Sequence, residues 1–189
     1  MQTKYKLVLG SKSPRRKELL KDLGFNFTIK TKETDESFPS NLNTKLVAEF
    51  IAHKKGNALI GDLKDDELLI CSDTVVVINN EILGKPKNYE EAFSMLSKLS
   101  GNIHEVITGV VLMNPKKQHS FSVTTQVSFK ELSKEEIDYY INEYQPFDKA
   151  GSYGIQEWIG YIGVTELKGS YFNVVGLPTA ELYKEIIAF

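Results

Sequence analysis

Apolar and polar residues alternate in short blocks along the chain, and the period switches repeatedly between two residues and about 3.6. "KYKLVLG" predicts a first strand, and residues 14–23 predict a helix capped by Ser13, with Pro14 at its first position and Gly24 as its stop. "FNFTIKT" predicts a second strand with Phe25, Phe27 and Ile29 on one face. After the acidic, Pro-containing loop "KETDESFPSN", a helix begins at Asn43 or Thr44, with Leu46, Val47, Phe50, Ile51, Ala58 and Leu59 on one stripe. "ELLICSDTVVVI" predicts a buried strand, followed by the turn "NN" and the short return "EILG".

The second half repeats the logic. Asn88 with Glu91 three residues on has the spacing of a capping box for a helix that stops at Gly101. "HEVITGVVLM", the turn "NPKKQ" and "HSFSVTTQVSF" predict a long hairpin, with Phe121, Val123, Thr125, Val127 and Phe129 on one side. Ser133 and Glu136 cap another helix running through Tyr144, and a Gly-rich stretch, "DKAGSYGIQEWIGYIG", precedes "SYFNVVGLP" and a last helix from Pro178. Tyr139, Tyr140 and Tyr144 follow helical spacing and are expected to pack rather than to stack on a base. No repeat, low-complexity segment or linker interrupts the series. The expectation is an α/β protein, a single domain over residues 1–189 whose mixed twisted sheet and flanking helices bend into two lobes.

Composition narrows the function classes. The chain has 189 residues, 41% of them hydrophobic and 25% charged, as in an ordinary soluble globular protein. Its net charge of −2 supplies no global field toward nucleic acid or anionic lipid, so no stable nucleic-acid partner is expected. The single cysteine, Cys71, excludes an internal disulfide and sits in an apolar run, where a buried inert thiol is expected. The N-terminus has no signal-peptide pattern and no stretch reaches membrane-spanning length, so the expected location is cytoplasmic, with no membrane partner. His53, His104 and His119 are scattered without metal-ligand spacing. No Walker A, GxGxxG, GxSxG or CxxC pattern is present.

Four segments carry more charge than their structural roles need. In "SKSPRR", Lys12, Arg15 and Arg16, followed by Lys17, crowd the positive end of a helix dipole, where each cation is disfavoured by roughly 0.3–1 kcal/mol. A phosphate chain at that N-terminus would reverse the sign, because free N–H groups and guanidinium forks both bind phosphate oxygens; the structural alternative is a solvated first turn. In "CSDTVVV", Asp73 interrupts an apolar strand that continues as residues 75–78, so the Asp-Thr pair is not needed as a turn. Lys85 precedes Pro86 in "GKPKN" and is held extended, where its ammonium can point at a phosphate or stay an ordinary loop lysine. In "DKAGSYGIQ", Gly151 and Gly154 permit close backbone approach, and the Gln156 amide can both donate to and accept from a base edge.

Taken together and in this order, "SKSPRRKELLKDLG", "AHKKG", "SDTVVV", "LGKPKN", "LSGNIHEVITGV", "DKAGSYGIQ" and "GSYFNVVGLP" resemble the Maf family of nucleoside triphosphate pyrophosphatases, a branch of the inosine-triphosphatase-like superfamily. The resemblance covers almost the whole chain. It implies two lobes around a central cleft, an often dimeric protein, and hydrolysis of a nucleoside triphosphate to the monophosphate and pyrophosphate with a divalent metal, Mg²⁺ or Mn²⁺. It implies substrate contacts from Ser11, Arg15, Arg16, Lys55, Thr74, Lys85 and Gln156. Arg16, Thr74 and Gln156 match the branch that prefers dTTP and UTP. The alternatives it leaves are the same chemistry on modified nucleotides or 7-methyl-GTP, and a non-catalytic nucleotide-binding regulator of septum formation. Asp73 is the expected proton acceptor and metal ligand. For the family's second acidic residue both Asp35 and Glu36 qualify, with Glu36 favoured. The chain departs at Gly10-Ser11-Lys12, where the family more often has Ala-Ser followed by a small residue.

Overall fold

The structure is a computed structural model that describes residues 3–189. Its seven strands form one mixed sheet, and the chain divides into two compact units. The first unit holds the residues up to Asp73, Thr108–Val123 and Gly176–Phe189; the second holds Thr74–Ile107 and Thr124–Val175.

In the first unit, β1 (Lys6–Leu9) runs parallel to both β2 (Phe27–Ile29) and β3 (Glu67–Ile78), with Val8 opposite Thr28 on one side and Leu69 on the other. Parallel strands are covered on both faces, and the continuous apolar runs follow from that: Leu7, Val8, Leu9, Leu68, Leu69, Ile70 and Cys71 are all buried. Between β1 and β2 lies α1 (Pro14–Asp22), and α2 (Thr44–Leu59) follows, capped by Asn43. The buried face of α2 is built from Val47, Ala48, Ile51, Ala52, Gly56 and Leu59, whereas Leu46, expected inside, is exposed. Small residues win on that face because the helix lies close to its support. A Cβ on Gly109 would stand 2.3 Å from the Glu49 backbone nitrogen, and one on Gly56 would stand 2.5 Å from Met113 Sδ. Val8, Ala52, Leu59, Leu69, Cys71, Val111 and Met113 form the resulting core, to which each buried Leu contributes about 1.5–3 kcal/mol. The helix α7 (Thr179–Ala188) completes this unit.

In the second unit, β3 turns at Asn79 and Asn80, both with positive φ as a tight hairpin requires, and β4 (Glu81–Leu83) returns antiparallel to it. The order then continues through β5 (Ile103–Met113) and β6 (Gln118–Phe129) to β7 (Val164–Lys168), which is antiparallel to β6. The alternating side of β6 is as expected, with Thr125, Val127 and Phe129 buried. α3 (Tyr89–Leu99) begins with half of the predicted capping box: Asn88 accepts from the Glu91 nitrogen, but the Glu91 carboxylate bonds the Lys87 nitrogen at 2.9 Å. The box at Ser133 and Glu136 is complete and starts α4 (Lys134–Tyr144).

Three elements in the Gly-rich region were not legible: α5 (Trp158–Gly163), β7 and α6 (Tyr171–Val175). The helices are five or six residues long and β7, "VTELK", is a five-residue strand at the sheet edge with no buried residue, so neither period is expressed. The second strand is also shorter than expected. Phe25 is buried ahead of it, and Ile29 at its end is exposed.

Candidate active site

The first unit assembles the phosphate-type residues. Ser13 caps α1 by accepting from the Arg16 nitrogen at 3.4 Å, and Ser11 Oγ in turn accepts from the Ser13 nitrogen at 3.2 Å. The two serines thus order the turn that presents Arg15 and Arg16 at the helix start. Arg16 does more than project outward. Its Nε donates to the Gly176 carbonyl at 2.8 Å and its Nη1 to the Ser72 carbonyl at 2.8 Å, tying α1 to β3 and to the segment leading into α7. Burial lowers the Arg16 pKa from its ordinary value, against the smaller opposing pull of the Asp73 carboxylate.

Behind it, Lys55 Nζ lies 2.6 Å from Asp73 Oδ1 and 2.7 Å from Glu36 Oε1. The two carboxylates named from the sequence therefore converge on one ammonium. Asp35, the alternative to Glu36, faces elsewhere: its carboxylate binds the Ser37 hydroxyl, the Ser37 nitrogen at 2.9 Å and Lys54 at 3.0 Å. Those bonds hold the Asp35 carboxyl far below the usual carboxylate range. Neighbouring residues of this irregular loop thus point to different lysines.

Thr74, Lys85 and Gln156 belong to the second unit. Thr74 is half-buried on β3, and Lys85 is exposed before the buried Pro86. The Gly84 carbonyl accepts from the Gly151 nitrogen at 3.0 Å, which brings the Lys85 segment to the glycine-rich one. Gly151 has φ +68° and its missing Cβ would stand 2.9 Å from Val76 Cγ2, so both conformation and space require glycine there. Gln156 is exposed in the turn that follows.

Residues 6–189 match the family model described as Maf-like protein. The chain belongs to the Maf family. A dTTP/UTP pyrophosphatase of Flavobacterium psychrophilum is 52% identical over 178 residues, covering 94% of this chain and 91% of its own. One of Phocaeicola vulgatus is 52% identical over 184 residues, covering 97% and 95%. Among solved structures, the Ham1 protein of Staphylococcus aureus matches with a TM-score of 0.55 over 95% of this chain and 99% of that one. At 16% identity that likeness speaks for the fold alone.

The departure from the Maf pattern at Gly10 has a local reason. A Cβ on Gly10, just beyond the end of β1, would stand 2.3 Å from Cys71 Sγ on β3, so the close approach of the two leaves no room for a methyl there. Cys71 is buried, and burial pushes its thiol up to about 12, which leaves it protonated and inert as expected. No helix among the described residues is long and apolar enough to cross a membrane.

A divalent metal fits the convergence at Lys55 only in part. Asp73 and Glu36 supply two hard oxygen donors aimed at one point, but no group of three His, Cys, Asp or Glu side chains able to hold a metal exists among the described residues. Asp73 and Glu36 are the residues that would hold such a cation, as hard oxygen donors of the kind Mg²⁺ takes.

Proposed function

We propose that this Maf chain hydrolyses dTTP and UTP to the nucleoside monophosphate and pyrophosphate, in the cytoplasm, with a divalent cation. The observation that carries this is the Lys55 ammonium held between Asp73 and Glu36 in the unit that also presents Arg15 and Arg16. The names of relatives that share about half of their residues with this chain support the substrate.

The chemistry follows from charge. A triphosphate carries about four negative charges, and water attacks its α phosphorus only when that charge is offset. Arg15, Lys55 and Lys85 offset part of it, and the free N–H groups at the start of α1 add dipoles of the same sign. Asp73 and Glu36 would hold a divalent cation, which would supply further charge neutralisation. Asp73 takes a proton from the attacking water as its oxygen bonds to the α phosphorus and the bond to the bridging oxygen breaks, releasing pyrophosphate. Ser11 orders the turn beneath the phosphates. Thr74 and Gln156 address the base. The Gln156 amide donates to a carbonyl and accepts from the N3–H of uracil or thymine, and its oxygen would face the acceptor N3 of cytosine. Leaving such groups unpaired disfavours CTP by roughly 5- to 150-fold.

Pyrophosphate release measured with dTTP, UTP, CTP, ATP, GTP and 7-methyl-GTP, with and without Mg²⁺ or Mn²⁺, tests the assignment. Release from dTTP and UTP well ahead of the others is expected. Equal use of CTP, preference for a purine, or binding without release would refute it.

A further inference from the structure

We propose that Tyr140 is a positioning residue for base selection: its hydroxyl grips both ends of the turn that carries Gln156 and thereby fixes the point from which the Gln156 amide reaches the base. This rests on the function proposed above, in which Gln156 reads the base. Residues Gly154–Glu157 form a turn closed by the Glu157 nitrogen donating to the Gly154 carbonyl at 3.0 Å, with Ile155 buried and Gln156 exposed at its third position. The Tyr140 oxygen accepts from the Gly154 nitrogen at 3.0 Å, and its O–H donates to Glu157 Oε2. One hydroxyl thus fixes the first and the last residue of the four. The other Glu157 oxygen holds Lys149 Nζ at 3.0 Å, and Lys149, nearly buried, is also bound to Asp148 at 2.7 Å. The fit leaves no slack, since a Cβ on Gly154 would stand 2.8 Å from Glu157 Cδ and 3.1 Å from Lys149 Cε.

Packing alone does not explain the hydroxyl. Tyr140 is fully buried and stacks on Tyr144 with centroids 5.1 Å apart, contacts that a phenylalanine would keep. Burial and the Glu157 carboxylate hold the Tyr140 pKa above its usual value, so the O–H stays a donor. Selectivity needs that anchor for a chemical reason. A glutamine amide meets the carbonyl and the N3–H of uracil at once only from one distance and direction, and a shift of its Cα loses both bonds together. Discrimination between the two bases therefore depends on the backbone beneath Gln156 being held.

The test compares kcat/KM for UTP and CTP in the wild type, Tyr140→Phe, Gln156→Ala and the double variant. The ratio of the two substrates is unaffected by how much of a preparation is folded. Tyr140→Phe is expected to lower the UTP/CTP ratio about tenfold, chiefly through KM for UTP, and to add less than about twofold in the Gln156→Ala background. If Gln156→Ala collapses the ratio while Tyr140→Phe leaves it at the wild-type value, the positioning role is overturned and base reading by Gln156 stands. If Gln156→Ala leaves the ratio intact, base reading by Gln156 falls, and this role with it. An undiminished effect of Tyr140→Phe in the double variant also overturns the role, because it would then act by another route. Should Tyr140→Phe fail to fold, Glu157→Ala releases the other end of the turn, and a wild-type ratio there overturns the role equally.

Discussion

Replacing Asp73 by Asn separates charge from shape at the centre of the proposed site. The side chain is 13% exposed and its partner Lys55 17%, so the ion pair is largely shielded, while Glu36, at 44% exposed, remains as a second partner 2.7 Å from the same ammonium. An asparagine oxygen still accepts a hydrogen bond from Lys55. The folding cost is the difference between a charge-assisted and a neutral bond, about 1 kcal/mol. For a chain of this length that lowers the melting temperature by roughly 2–4 °C. Catalysis loses far more, because the amide accepts no proton from water and contributes no negative charge toward a cation; kcat for UTP is expected to fall by at least ~10². Pyrophosphate release at saturating UTP, paired with a thermal melt of the same preparation, reads both quantities. Turnover within about tenfold of the wild type in a protein that melts normally would remove Asp73 from the mechanism. A melting point lowered by more than about 10 °C would show instead that the carboxylate holds the fold.

Both arginines of the first turn should matter for phosphate binding. Arg16→Ala strands the Ser72 and Gly176 carbonyls, at a cost of about 2 kcal/mol and roughly 4–8 °C of melting temperature, besides weakening every triphosphate. Arg15→Ala should weaken all nucleotides alike, and unchanged pyrophosphate release from UTP, CTP and ATP in that variant would refute its role at the phosphates. Gly151→Ala combines a left-handed backbone with a contact 2.9 Å from Val76 and should destabilise by about 2–3 kcal/mol in a denaturant titration; an unchanged midpoint would refute the close approach. His104, buried against Phe129 and bonded to the Tyr153 hydroxyl at 2.7 Å, has its pKa lowered by burial to about 4. The unfolded chain therefore binds its proton more tightly. The stability at stake, roughly 3 kcal/mol, is fully present above about pH 6.5 and lost as pH falls toward 4. His104→Gln should flatten stability across that window, and a wild-type slope in the variant would refute the assignment.

Elements whose pattern repeats over enough residues were legible in the chain alone. The buried strand "ELLICSDTVVVI" ran through Asp73 without a turn, and the caps at Ser13, Asn43, Asn88 and Ser133 formed where hydrogen-bonding side chains preceded helical periods. These are local effects, carried by side chains a few residues apart. The misplaced cations of the first turn were visible for the same reason, since a helix dipole acts within one turn. The family's motifs added Lys55, whose type alone carries no signal, and gave Thr74 and Gln156 their expected part in base choice.

Other features depend on what lies far away in sequence. Whether Asp35 or Glu36 meets Lys55 was decided by the path of an irregular loop, which composition does not encode. That Arg16 ties down two carbonyls, one 56 and the other 160 residues away, is a property of packed elements rather than of "SPRR". Leu46 faces outward and Ala48 inward because α2 must approach Gly109, and hydrophobicity ranks the two residues the other way. The short edge strand β7 exists because β6 offers it a ladder of hydrogen bonds, not because "VTELK" asks to be a strand. Tyr140 shows the same division: helical spacing placed it in the core, but only the fold brought its hydroxyl to both ends of the turn that carries Gln156. Hydrogen bonds between distant segments form after the backbone has been placed, so their partners are not written in either segment.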